Sequence, residues 1–211
     1  MRLFTVSILI LTALAVVSPA EAQILYADQG QSGFEIGAGY AANSTYSGFS
    51  AGISSCSNGK FEGGVSIGFF SSDQVDIRAV NVTLVFLLGH EGRSLPFSIS
   101  LKGGAQIEHA KAEGWRGFVS DDATAGFLGL LLFKRVELSS ERGLVPYTSA
   151  VQLATLGSGD TEYTGIFDVG LSMYQRNSNG MIFALTPSVS VDEAFTTFSL
   201  MLSVGRLPGR W

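Results

Sequence analysis

Between residues 196 and 207 the apolar side chains Phe198, Leu200, Leu202 and Val204 alternate with Thr197, Ser199, Met201, Ser203 and Gly205. Successive side chains of an extended chain point to opposite faces, so this period of two predicts a strand with one oily face and one small, mostly polar face. The same alternation recurs upstream. From Phe34 to Ala41, Phe34, Ile36, Ala38 and Tyr40 oppose Glu35, Gly37, Gly39 and Ala41; from Ser47 to Cys56, Phe49, Ala51 and Ile53 oppose Gly48, Ser50, Gly52 and Ser54. From Lys60 to Ser71, Phe61, Gly63, Val65, Ile67 and Phe69 face one way and Glu62, Gly64, Ser66 and Gly68 the other. Asn58-Gly59 between these last two segments predicts a tight type I′ hairpin, whose two central residues both need positive φ.

Further strands are predicted from Val75 to Gly89, with Val80, Val82, Leu84, Phe86 and Leu88 outward, Asn81 and Thr83 inward and Arg78 at the edge, and from Leu95 to His109. The polar stretch 110–122 reads as the main exposed loop, with Trp115 and Arg116 as its candidate contact residues. Ala123 to Arg135 is apolar on both faces, and Lys134 to Arg142 makes a charged connection. Val145 to Thr155 sets Tyr147, Val151 and Leu153 against Thr148, Ala150, Gln152 and Ala154. Glu162 to Gln175 places Asp168 on its polar face, and Met181 to Val191 carries Pro187, which implies a bulge or an imperfectly paired site. Together these make about ten strands, or eight if weak ones merge, an even number suited to a closed sheet with apolar residues outside and polar groups inside.

Composition sharpens this picture. Charged residues are 15% of the chain, against about 25% in ordinary soluble domains. The 26 glycines among 211 residues also favour strands over helices. Arg2, the apolar run from Leu3 to Val17 and the small residues Ala20 and Ala22 match a secretory signal peptide spanning 1–22, leaving 23–211 as a single barrel domain. After residue 22 no apolar run is long enough for a membrane-spanning helix. Cys56 is the single cysteine, so no internal disulfide is available to staple an exported domain. A net charge of −5 argues against nucleic acid as a partner.

With the signal peptide, the alternation, the tight turns and the closing strand Phe198, Leu200, Leu202 and Val204, residues 34–207 resemble the small outer-membrane β-barrel superfamily of Gram-negative bacteria. The resemblance implies an all-β, antiparallel up-and-down transmembrane β-barrel in the cell outer membrane. It also implies outer-membrane lipid and the barrel-insertion machinery as partners. Such families usually end the closing strand in an aromatic residue, whereas this chain continues through Arg206, Leu207, Pro208 and Gly209 to Trp211.

Candidate chemistry lies mostly inside the barrel. Glu35, Glu62, Lys102, Gln106, Glu108, Gln152 and Asp168 are the candidate lumen residues, lining either a charge-paired plug or a narrow pore. A hydrolase would need a Ser, a His base and an acid converging at one rim. His90 and His109 are the two histidines, and neither sits in an acyl-transfer motif. Tyr40, Tyr147, Tyr163 and Tyr174 fit an interfacial aromatic belt. No phosphate loop or Cys/His metal cluster is present, and no cofactor is expected. The role expected is structural, adhesive or weakly pore-forming. The alternative is a soluble exported lipocalin-like barrel carrying a small apolar ligand, whose apolar residues would point inward instead.

Overall fold

The computed structural model describes residues 25, 27–73, 75–92, 95–114, 117–156 and 161–207. The expected signal peptide 1–22 and the terminal Trp211 fall outside them. The strands are β1 (Gly33–Ala42), β2 (Ser47–Ser57), β3 (Phe61–Ser71), β4 (Val75–Gly89), β5 (Ser98–Gly114), β6 (Gly117–Phe133), β7 (Val136–Glu137), β8 (Arg142–Leu156), β9 (Thr161–Arg176), β10 (Met181–Val191) and β11 (Thr196–Arg206). Sequential neighbours pair antiparallel, β1 pairs with β11, and β6 passes over β7 to pair with β8. The result is a closed up-and-down barrel of ten strands, with β7 as a two-residue ribbon beside β8 in the connection. Closure leaves no sheet edge, so the ladder satisfies the backbone without a disulfide.

Alternation sets the wall. On β1 to β4, Phe34, Ile36, Phe49, Ile53, Val65, Ile67, Val82 and Leu84 are exposed outward, while Glu35, Ser50, Ser54, Glu62, Ser66, Asn81 and Thr83 are buried inside. Asn58 and Gly59 carry φ of 56° and 62°, as the β2–β3 hairpin requires. A Cβ on Gly59 would also meet the carbonyl oxygen of Asp28 at 2.2 Å. One end of the barrel gathers this hairpin, the start of β1 and the end of β11, and is called here the terminus-side mouth.

Three expectations are corrected. Most of the stretch expected as a loop at 110–122 is strand: β5 runs on to Gly114 and β6 begins at Gly117, paired from Glu108–Ala123 to Gly114–Gly117. Polar residues in the sequence break the alternation there, but ladder hydrogen bonds join backbone groups and do not require alternation. The second correction concerns β8. Val151 and Leu153 are buried inside, and Gln152 and Ala150 are exposed outward. Register is the reason: Gln152 lies opposite the outward Leu128, and Val151 lies opposite Ile166. Ala125, Phe127, Val151, Leu153 and Ile166 form an apolar cluster inside the wall. Third, Tyr147 and Tyr174 pack against the apolar cluster at the terminus-side mouth, whereas Tyr40 and Tyr163 face outward.

Pro187 interrupts pairing without shifting it. Partnership between β9 and β10 lapses between Leu185–Met173 and Ser188–Gly170, and the register on either side is the same. The register shift falls instead in β4, between Leu87 and Gly89. A third apolar cluster, Ala41, Tyr46, Phe70, Val75, Ile77 and Ala79, lies at the far end on the β1–β4 side.

Candidate functional site: the barrel interior

Six of the seven candidate lumen residues lie inside. Glu35, Glu62, Lys102, Gln106, Glu108 and Asp168 are each at most 6% exposed, placed there by the inward parity of β1, β3, β5 and β9. Gln152 is the seventh and faces outward, for the register reason given above. Trp115 and Arg116 lie outside the described residues.

The interior charges are spread over the wall. Glu62, Val85 and Lys102 share one row across β3, β4 and β5. Lys102 and Asp168 interact electrostatically, and the Lys102 Nζ stands 5.8 Å from the centre of the Phe127 ring. Ser190 donates its hydroxyl to Asp168 Oδ1 at 2.8 Å. Another row runs through Ser66, Asn81 and Gln106, and the Gln106 amide donates to Glu108 Oε1. Ser203 hydrogen-bonds Glu35, and the Ser172 and Thr186 hydroxyls meet at 2.7 Å. Four carboxyl groups therefore share the described interior with Lys102, and Glu35 Oε1, Asn81 Oδ1 and Gln106 Oε1 have no hydrogen-bond partner in the protein. Among the described residues no group of three or more His, Cys, Asp or Glu could hold a metal ion.

At the terminus-side mouth stands a residue that sequence reasoning assigned to a charged connection. Arg135 follows β6, and its side chain is 8% exposed. Burial pushes its guanidinium below the usual arginine value, and the nearby carboxylates of Asp28 and then Glu91 pull it back up. Its backbone N–H reaches the Glu91 carboxylate at 3.3 Å. The Lys134-Arg135 pair between Phe133 and Val136 was the available signal.

The two histidines are placed apart. His90 Nδ1 lies 2.8 Å from the Glu91 carbonyl oxygen, and its Nε2 is 3.5 Å from Arg135 Nη1. His109 stands on the outer surface of β5 with Nδ1 2.6 Å from Asp122 Oδ1. Neither ring contacts a serine hydroxyl among the described residues.

No family model matches the chain, and no curated protein matches it in sequence. Solved structures do match. An outer membrane channel from Pseudomonas putida F1 superposes with a TM-score of 0.56 at 9% identity, covering 90% of this chain and 99% of that one. The fold is that of an outer-membrane β-barrel. The beta domain of the Bordetella autotransporter BrkA shares it, with a TM-score of 0.51 at 12% identity over 85% of this chain and 99% of that one. The Escherichia coli outer membrane protease OmpT aligns more loosely, with a TM-score of 0.45 at 7% identity over 84% of this chain and 96% of that one, and carries no argument about catalysis. Among outer-membrane β-barrels, then, the likeness reaches the architecture and stops short of any one activity.

Proposed function

We propose that the protein resides in the outer membrane as a sealed barrel with a structural or adhesive role, exported behind a cleaved signal peptide. The carrying observation is the filled interior. Glu62 and Gln106 are 0% exposed, and apolar clusters close both the terminus-side mouth and the far end. An eight-stranded bore is about wide enough for side chains and a ten-stranded one is somewhat wider; here the inward polar side chains are shut off from solvent. The band of exposed Phe, Ile, Leu and Val on the outer wall supports lipid as its solvent and disfavours a soluble carrier with inverted faces.

Trp115 and Arg116, which follow the paired Gly114 and precede the paired Gly117 in the sequence, are the proposed partner-contact residues. Replacing 115–116 with Gly-Ser is expected to abolish surface adhesion; unchanged adhesion would remove that assignment. For the sealed barrel, the mature chain is folded into detergent micelles and checked by faster gel mobility before boiling. It is then placed in planar bilayers, where no step currents are expected. Currents that change with Glu62→Gln or Asp168→Asn would overturn the sealed reading and favour a cation-preferring pore.

A further inference from the structure

The outer face of β8 and β9 is recessed. Two rows of outward residues cross it: Leu128, Gln152 and Gly165 in one, Leu130, Ala150, Phe167 and Val191 in the next. The second row continues onto β10, which ends at Val191, whereas beside the first row the chain has already turned and brings Asp192 and Glu193 alongside. Gly165 and Ala150 are small, and a Cβ added to Gly165 would meet nothing within 4 Å. The floor between the exposed Leu128, Phe167 and Val191 is therefore low, and the recess amounts to about 600 Å³.

The polar groups of this groove are Gln152 and the two acids. The Gln152 side chain is exposed and makes no hydrogen bond among the described residues. Asp192 Oδ1 accepts the Ala194 and Phe195 N–H groups at 2.6 and 2.7 Å, which pins the turn and leaves its second carboxylate oxygen, with the exposed Glu193, at the lip. Among the described residues no ion pair neutralises either acid. A trough that is apolar along its floor and negative at its lip, on a wall that faces lipid, is complementary to an amphiphile with a positive head. A second copy of the chain fits it poorly, because a two-fold contact presents the same patch from both subunits and sets acid against acid. A carboxylate or phosphate head meets the same repulsion. Another groove on the outer wall isolates the part played by charge: it lies over Ala38 and Ala51, between Phe49 and Leu200, and no charged residue lines it. We propose that the groove over β8 and β9 binds a single-chain cationic amphiphile from the lipid layer, with its ammonium group held by the Gln152 carbonyl oxygen and the carboxylates of Asp192 and Glu193. Its alkyl chain lies over Gly165 and Ala150. The inference needs the outer wall to face lipid and is independent of whether the bore is sealed.

The full mature barrel, folded in micelles and verified by unboiled gel mobility, is placed in phosphatidylcholine vesicles with a trace of dodecylamine carrying a photoactivatable diazirine. Illumination attaches the probe where it resides, and peptide mass spectrometry locates it. At low salt, adducts on the groove over β8 and β9 are expected to exceed those on the uncharged groove about tenfold, because two acids at the membrane surface favour the ammonium. About 1 M salt is expected to shrink that preference by screening. The matching dodecanoate probe is expected to show none. Asp192→Asn combined with Glu193→Gln keeps the turn-capping oxygen and removes both charges, and is expected to bring the amine adducts down to the level of the uncharged groove. Gly165→Leu raises the floor with the charges retained and is expected to do the same; if it does not fold, the charge variant decides. Equal amine labelling of the two grooves, or labelling unchanged in the folded variants, would overturn the proposal. So would disulfide-linked dimers of Gln152→Cys in a Cys56→Ser background, since they would show a second copy covering the groove.

Discussion

The wall made by β1 to β4 and the wall made by β6, β8 and β9 obey the same geometry with different chemistry. In the first, every inward position between the end clusters is polar or glycine and most outward positions are apolar, so the face of each residue follows from its parity. In the second, Phe127, Val151, Leu153 and Ile166 point inward while Ala150, Gln152 and Gly165 point outward. There the strand's own composition does not determine its orientation. Neighbours do, through register, because shifting a strand by one residue would exchange every side chain between faces. A barrel can thus be lined partly with oil and still close, provided its inward apolar residues find one another.

The sharpest way to separate the two walls is to empty the inside of each. Phe127→Ala is expected to lower unfolding stability in detergent by about 3 to 5 kcal/mol, as for other buried aromatic truncations. Ser66→Ala, inward on the first wall, is expected to cost about 1 kcal/mol or less. Similar losses in denaturant titrations would mean that the apolar cluster contributes no packing.

A charge placed on the outside tests the same contrast from the lipid side. Leu84 lies in the middle of the outward band of β4, and Leu84→Arg is expected to destabilise by about 2 to 4 kcal/mol. Gln152 lies beside the β10–β11 turn, flanking a groove that also includes Gly165 and Asp192. Gln152→Arg at that lip is expected to cost about 0 to 1 kcal/mol. Equal penalties in bilayer-reconstituted protein would show that both positions lie at the same depth.

Labelling checks the parity of β8 directly. In a Cys56→Ser background, a cysteine at Gln152 is expected to react with an apolar, lipid-soluble reagent, and one at Leu153 to resist it in the folded barrel. The reverse pattern would restore Gln152 to the lumen. The smallest effect is reserved for Gln152→Leu, expected to change stability by no more than about 0.5 kcal/mol, the usual range for an exposed site. A loss above that range in a urea titration would reveal a structural role for the amide.

Sequence reading reached the ten barrel strands because alternation is a direct imprint of the pleat. It placed Glu35, Glu62, Lys102, Gln106, Glu108 and Asp168 correctly inside for the same reason. It misplaced Gln152 because Val151 and Leu153 look outward when β8 is read alone, and only the pairing of Leu128 with Gln152 reveals the parity. The length of β5 and β6 was hidden because the sequence from 110 to 122 is polar and lacks alternation. The contacts of Arg135 could not be read from the sequence, since its partners Leu25, Ala27 and Asp28 are more than a hundred positions away.

The seam between β1 and β11 sets an order of events. Phe34 pairs with Arg206 and Ala42 with Phe198, so the first strand finds its second neighbour only when the last strand is available. Until then both carry an open row of unpaired backbone groups, a template for joining other chains. Long-range pairing of this kind is slow to form. Closure of the cylinder is therefore the committing step of assembly, and a chain interrupted before β11 is left as an open, adhesive ribbon.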